Sequence, residues 1–145
     1  MDNLKEYVEY GVIGILIVMS IISIAIAFER YFFYKNVNLR NYKTKNEAEI
    51  ELSKHLAALS IIGSNAPYIG LLGTVCGIMI VFYDMGMSKS IDPHVIVIGL
   101  SLALKVTAVG LLVAIPATML YSAFLRKADI LIAKWEDEVA HEITQ

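Results

Sequence analysis

Residues 95–124 read VIVIGLSLALKVTAVGLLVAIPATMLYSAF, an apolar run longer than the roughly 20 residues that carry an α-helix across about 30 Å of hydrocarbon. Such a run is a membrane span, and its surplus length predicts a helix that tilts or protrudes. One residue breaks its character. Lys105 lies near the middle, where hydrocarbon supplies no hydrogen bonds and a charge needs a partner or a wet cavity. Thr107 follows two positions later. The stretch therefore speaks to the architecture and also marks the first place to look for function.

Two further runs share its composition. Residues 11–28 and 66–83 carry no charged side chain, and 57% of the 145 residues are hydrophobic. That is too apolar for an ordinary soluble domain. The fold class predicted is an all-α membrane protein with three transmembrane helices. Ala25-Ile26-Ala27 mimics a leader cleavage site, but Asp2, Glu6 and Glu9 stand where a leader has basic residues, so 11–28 is read as a span. A net charge of −2 and no visible basic face exclude a nucleic-acid binder. The single cysteine, Cys76, allows neither an internal disulfide nor a thiolate metal cluster and reads as a small packing residue.

Charge placement sets the orientation. Arg30, Lys35, Arg40, Lys43, Lys45 and Lys54 lie between spans one and two, and Arg126, Lys127 and Lys134 follow span three. Lys5 and Lys89 alone mark the other side, so the positive-inside rule puts the N-terminus outside and the C-terminus in the cytoplasm. The cytoplasmic parts are predicted to be helical. Glu47 to Ile62 holds good helix formers with Leu52, Leu56 and Leu59 at helical spacing, leading straight into span two. After span three, Tyr121, Phe124, Leu125, Ala128, Leu131, Ile132, Trp135 and Val139 recur at three- and four-residue steps. Trp135 is read as a packing or interfacial residue rather than a ligand-binding one.

Two spans present small faces. Gly70, Gly73, Thr74 and Gly77 fall on one side of span two, and Gly99, Ala103, Thr107, Gly110, Ala114 and Ala117 on one side of span three. Both predict close helix packing. Each hydroxyl has two readings: a bond to a carbonyl one turn back, or an ordering role at a hydrated lumen built by several copies. Lys105 lies about 200° from Ala103 and Thr107 around the helix, away from the small face. An interface there is predicted to pair it, with the counter-charge supplied by a partner chain, since Asp84 and Asp92 sit near the outer boundary. Pro116 removes a backbone donor deep in span three and predicts a kink. His55, His94 and His141 belong to no local metal cluster, and no triad, phosphate loop or carboxylate pair is present. Neither enzyme chemistry nor a cofactor or metal is expected.

Ala66-Pro67-Tyr68-Ile69-Gly70-Leu71-Leu72-Gly73-Thr74-Val75-Cys76-Gly77-Ile78-Met79 resembles the second transmembrane segment of the ExbB/TolQ/MotA proton-channel family. Ala103-Leu104-Lys105-Val106-Thr107-Ala108-Val109-Gly110-Leu111, through Ala114-Ile115-Pro116-Ala117, is similar to that family's third segment, with its ExbB members nearest. The resemblance implies a bacterial inner-membrane homo-oligomer, a pentamer, whose second and third helices enclose helices of an ExbD-like partner bearing a membrane aspartate. It implies TonB as the recipient of proton-motive energy for transport across the outer membrane, and pore-lining roles for Thr74 and Thr107. The segments then become a periplasmic N-terminus 1–10, span 11–28, a cytoplasmic segment 29–65, span 66–83, a periplasmic loop 84–94, span 95–124 and a cytoplasmic amphipathic helix 125–145. The chain departs from the family where Leu102 replaces a glutamate and Lys105 an apolar residue. A TolQ-like or motor-stator subunit, and a non-conducting membrane scaffold, are the alternative readings.

Overall fold

The structure, a computed structural model, describes residues 2–144. Four α-helices and a single 3-10 turn follow one another: α1 Asp2–Asn36, the turn Leu39–Asn41, α2 Lys45–Leu52, α3 Leu56–Ser88 and α4 Pro93–Thr144. Of these, α1, α3 and α4 are long and apolar enough to cross a membrane. At 52 residues, α4 is about 78 Å long, so much of it extends past any bilayer.

Side-chain chemistry explains where the helices start and stop. Thr44 caps α2 by accepting from the Glu47 N–H at 3.1 Å, and the Glu47 carboxylate reaches back to the Lys43 N–H at 3.3 Å, a variant of the capping box. Asp92 caps α4 by accepting from the His94 N–H at 3.0 Å, and Pro93 occupies the first helical position, where its missing N–H costs nothing. Lys89 ends α3 in a left-handed conformation, φ 56°.

The stretch expected to form one helix from Glu47 into span two is instead two helices, α2 and α3, separated at Ser53–His55. Side chains reach the last carbonyls of α2. Arg30 Nη1 donates to Glu51 O at 2.9 Å and Tyr34 Oη to Leu52 O at 2.5 Å, while Ser53 Oγ donates to Glu49 O at 2.6 Å. Glu49 O and Glu51 O also accept from the Ser53 and Lys54 N–H groups, so the end of α2 is satisfied where the chain turns through His55 at φ 70° and restarts. Leu52, Leu56 and Leu59 still share one buried cluster with Tyr34, Ala128 and Trp135. Trp135 is buried there and donates its indole N–H to Tyr42 O at 3.0 Å, a packing role.

Arg30, only 1% exposed, keeps its charge by full pairing. Glu29 accepts from Nε at 2.5 Å and from Nη2 at 2.7 Å, and the Phe33 ring centroid lies 4.2 Å from the guanidinium carbon. A buried charge is tolerated when its donors are met in this way.

The three long helices pack with α1 and α4 parallel and α3 antiparallel to both. Leu16 meets Ala66 and Ala114 in a mid-bundle cluster, and Tyr34 meets Phe124 at 5.8 Å between ring centroids. The most extensive interface is between α3 and α4. Both α3 and α4 remain helical through their internal prolines, Pro67 and Pro116.

Candidate functional site: the α3–α4 seam and its hydroxyl pair

The two small faces meet each other inside one chain. A Cβ built on Gly110 would lie 2.7 Å from Ala66 O, and one on Gly70 would lie 3.0 Å from Val106 O and 3.2 Å from Gly110 Cα. Backbone therefore touches backbone at this crossing, a closeness that only small residues allow. Gly77 abuts Ala103 and Gly73 abuts Val106, while Gly99 lies against Val81. Ala114 and Ala117 are buried further along the seam. Gly63, against Thr118, extends the face two turns beyond Gly70. It belongs to the run Gly63, Ala66, Gly70, Gly73, Gly77, whose spacing was the available signal.

Thr74 and Thr107 lie where the faces cross. Thr74 Oγ1 is buried and donates to Ala103 O at 2.9 Å on the opposite helix, with Gly70 O at 3.3 Å on its own. The two threonine hydroxyls contact each other, and Thr107 Oγ1 also faces Gly70 O at 3.4 Å. Two protons serve these acceptors when Thr74 donates to Ala103 O and Thr107 to the Thr74 oxygen. The bonds run mainly across the seam. That differs from the simple alternative in which each hydroxyl serves a carbonyl one turn back, which only the longer Thr74 contact resembles. Thr74 is 6% exposed and Thr107 is half-buried, so neither hydroxyl points out among acyl chains.

Lys105 is corrected on two counts. Its counter-charge lies within the chain: Nζ is 3.5 Å from Glu9 Oε1 on α1. Its depth also differs, because Glu9 precedes the uncharged run of α1 by two residues, which puts Lys105 level with the start of that run. The sequence did not reveal this because α4 has a longer apolar stretch than α1, and the middle of one is level with the beginning of the other. Lys105 remains 59% exposed and Glu9 19%.

Asp84 and Asp92 line a cleft of about 260 Å³ near the α3–α4 loop, with Lys5, Ser88 and Ser90. Among the described residues, no three His, Cys, Asp or Glu side chains are grouped to hold a metal ion.

Residues 26–137 match the MotA/TolQ/ExbB proton channel family. A Helicobacter pylori protein named as ExbB-like 2 biopolymer transport protein is 49% identical over 146 residues, covering 97% of each chain. The biopolymer transport protein ExbB of Helicobacter pylori is 48% identical over 135 residues, covering 93% of each. That of Aquifex aeolicus is 43% identical over 136 residues, covering 94% of this chain and 92% of the relative. With three apolar helices, a small-residue seam and likeness along nearly the whole length, the chain belongs to the MotA/TolQ/ExbB proton channel family, as a membrane protein of biopolymer transport.

Proposed function

We propose that the chain is the channel subunit of an ExbB–ExbD–TonB-type complex in the bacterial inner membrane, using proton motive force to energise transport across the outer membrane. In this reading several copies, five in the resemblance, surround helices of an ExbD-like protein. The spans are 11–28, 66–83 and 95–124, the N-terminus is periplasmic and the C-terminus cytoplasmic. The observation that carries the reading is the hydroxyl pair Thr74–Thr107, placed on a seam of small residues between two apolar helices. Between two helices dominated by apolar side chains, hydroxyls that bond across the seam can order water and receive a carboxyl group.

Threonine does not store a proton at physiological pH, so an aspartate on the partner helix takes that part. It accepts a proton from the periplasmic side and releases it inward, while Thr107, half-buried, forms the exposed edge of the hydroxyl pair. Near-complete coverage by relatives named ExbB supports this assignment over a TolQ-like or stator subunit.

Thr107→Val keeps the shape of the side chain and removes its hydroxyl. The complex should still assemble by intact mass measurement, while proton flux into reconstituted vesicles and energised uptake fall at least tenfold. Unchanged flux would remove Thr107 from the mechanism. Equal flux with and without the single-span partner, at the level of empty vesicles, would instead identify a scaffold.

A further inference from the structure

We propose that Glu9 is a proton-accepting residue of this chain, paired with Lys105 beside a crevice between α1 and the α3–α4 seam. This inference rests on the proton-channel reading above.

Spans 11–28, 66–83 and 95–124 contain one charged side chain, Lys105. The structure brings a carboxylate to it from outside those spans, Glu9 Oε1, at 3.5 Å. An ionisable pair at the edge of an apolar helix bundle is costly to keep there and is a functional candidate for that reason. Glu9 also lies in a particular place. It borders a crevice of about 10 Å³, the room one water needs, lined besides by Lys5 and by the apolar Val8, Gly73, Gly77, Leu102, Ala103 and Val106. Ala103, one of the residues lining it, accepts from Thr74 through its carbonyl. On its other side, Lys5 also lines the larger cleft with Asp84, Ser88, Ser90 and Asp92. Polar side chains therefore continue from the α3–α4 loop, past Lys5, to Glu9.

The charges around Glu9 are few. Its own helix supplies Glu6 three residues before it and Lys5 four before it. Lys105 comes from α4. The crevice takes only Gly73 and Gly77 from α3, whose nearest carboxylate, Asp84, lies in the cleft past Lys5. In the resting pair the Glu9 carboxylate balances the Lys105 ammonium. A proton carried by water from the cleft forms an O–H bond at Glu9 and leaves a neutral carboxyl beside a cation. That bond breaks when a water in the crevice takes the proton and passes it toward the partner aspartate of the reading above, and the ion pair reforms. Lys105 holds the carboxylate in place between transfers.

The test uses the complex purified with its native partner through a tag on this chain and reconstituted into vesicles under an imposed pH gradient. Glu9→Gln keeps the size of the side chain and its acceptor oxygen toward Lys105. It should assemble as the parent does and lose proton flux at least tenfold, and Glu9→Asp should regain a third or more of it. Parental flux in an assembled Glu9→Gln complex would overturn the inference and leave the channel reading intact, as would intact assembly in which Glu9→Asp recovers nothing. If Glu9→Gln does not assemble, the double variant Glu9→Gln/Lys105→Gln leaves no unpaired cation. A tenfold loss there supports the inference, and flux within twofold of the parent overturns it. A parent complex that conducts no better than empty vesicles defeats the channel reading itself, and this inference with it.

Discussion

The seam between α3 and α4 rests on individual hydrogen atoms where other residues would carry methyl groups. Gly110 is the sharpest case, since a Cβ there would lie 2.7 Å from a backbone oxygen of α3 and 3.1 Å from Gly70 Cα. Neither neighbour is a flexible side-chain end that can swing away. Gly110→Ala should separate the helices and destabilise the chain by about 1–3 kcal/mol, the range of core overpacking, measured by thermal unfolding in detergent. Gly14→Ala is the matched control, because nothing lies within 4 Å of its added Cβ; it should leave the midpoint unchanged or raise it, since alanine favours helix. The small faces were legible from spacing alone. Glu9 was not, because a residue outside a span in sequence can lie level with the middle of another span once helices of unequal apolar length pack side by side.

At the scale of elements, α2 is held by short-range chemistry rather than by its own length. Eight residues make a marginal helix in water, and its two ends are met by Thr44 and by Arg30 with Tyr34. A third tie joins it to α4. Lys45 Nζ lies 2.7 Å from Glu136 Oε1, and the hydrogen bond to Glu136, followed by that group's charge, raises the Lys45 pKa above the ordinary lysine value. A pKa raised by folding means the folded chain binds that proton more tightly than the unfolded one. The stabilisation is therefore fully present below the unfolded lysine value and is lost as pH rises through the folded value. Both partners are exposed, which makes the effect small and sensitive to salt. Lys45→Met should lower the urea midpoint slightly at pH 8 and by nothing once lysines are deprotonated, above about pH 11. Trp135, the only tryptophan, reports this through its fluorescence from the same cluster.

As a whole molecule, one chain leaves much apolar surface open. Ile17, Ile21, Ile24 and Phe28 on α1, Leu72, Met79 and Phe82 on α3, and Leu104, Leu112 and Ile115 on α4 are all more than half exposed. Patches of this extent are covered by lipid or by other protein. Native mass measurement of the purified complex should give several copies of this chain, five on the reading proposed here. A strict monomer would remove the shared axis on which the proposed conduction depends.

Sequence by itself determined the three long apolar helices, the amphipathic end of α4 and the two small faces, because hydropathy and helical period act locally and are written in consecutive residues. It also carried the family motifs around Thr74 and Thr107. Only the tertiary structure decided that the small faces meet within one chain, that α2 stops at Leu52, and that Lys105 pairs with Glu9. Each of those depends on the relative shift of helices along their common axis. That shift is set by where backbones can touch at Gly70 and Gly110 and by which distant side chains, Arg30 and Tyr34 among them, reach the carbonyls of a neighbouring helix first.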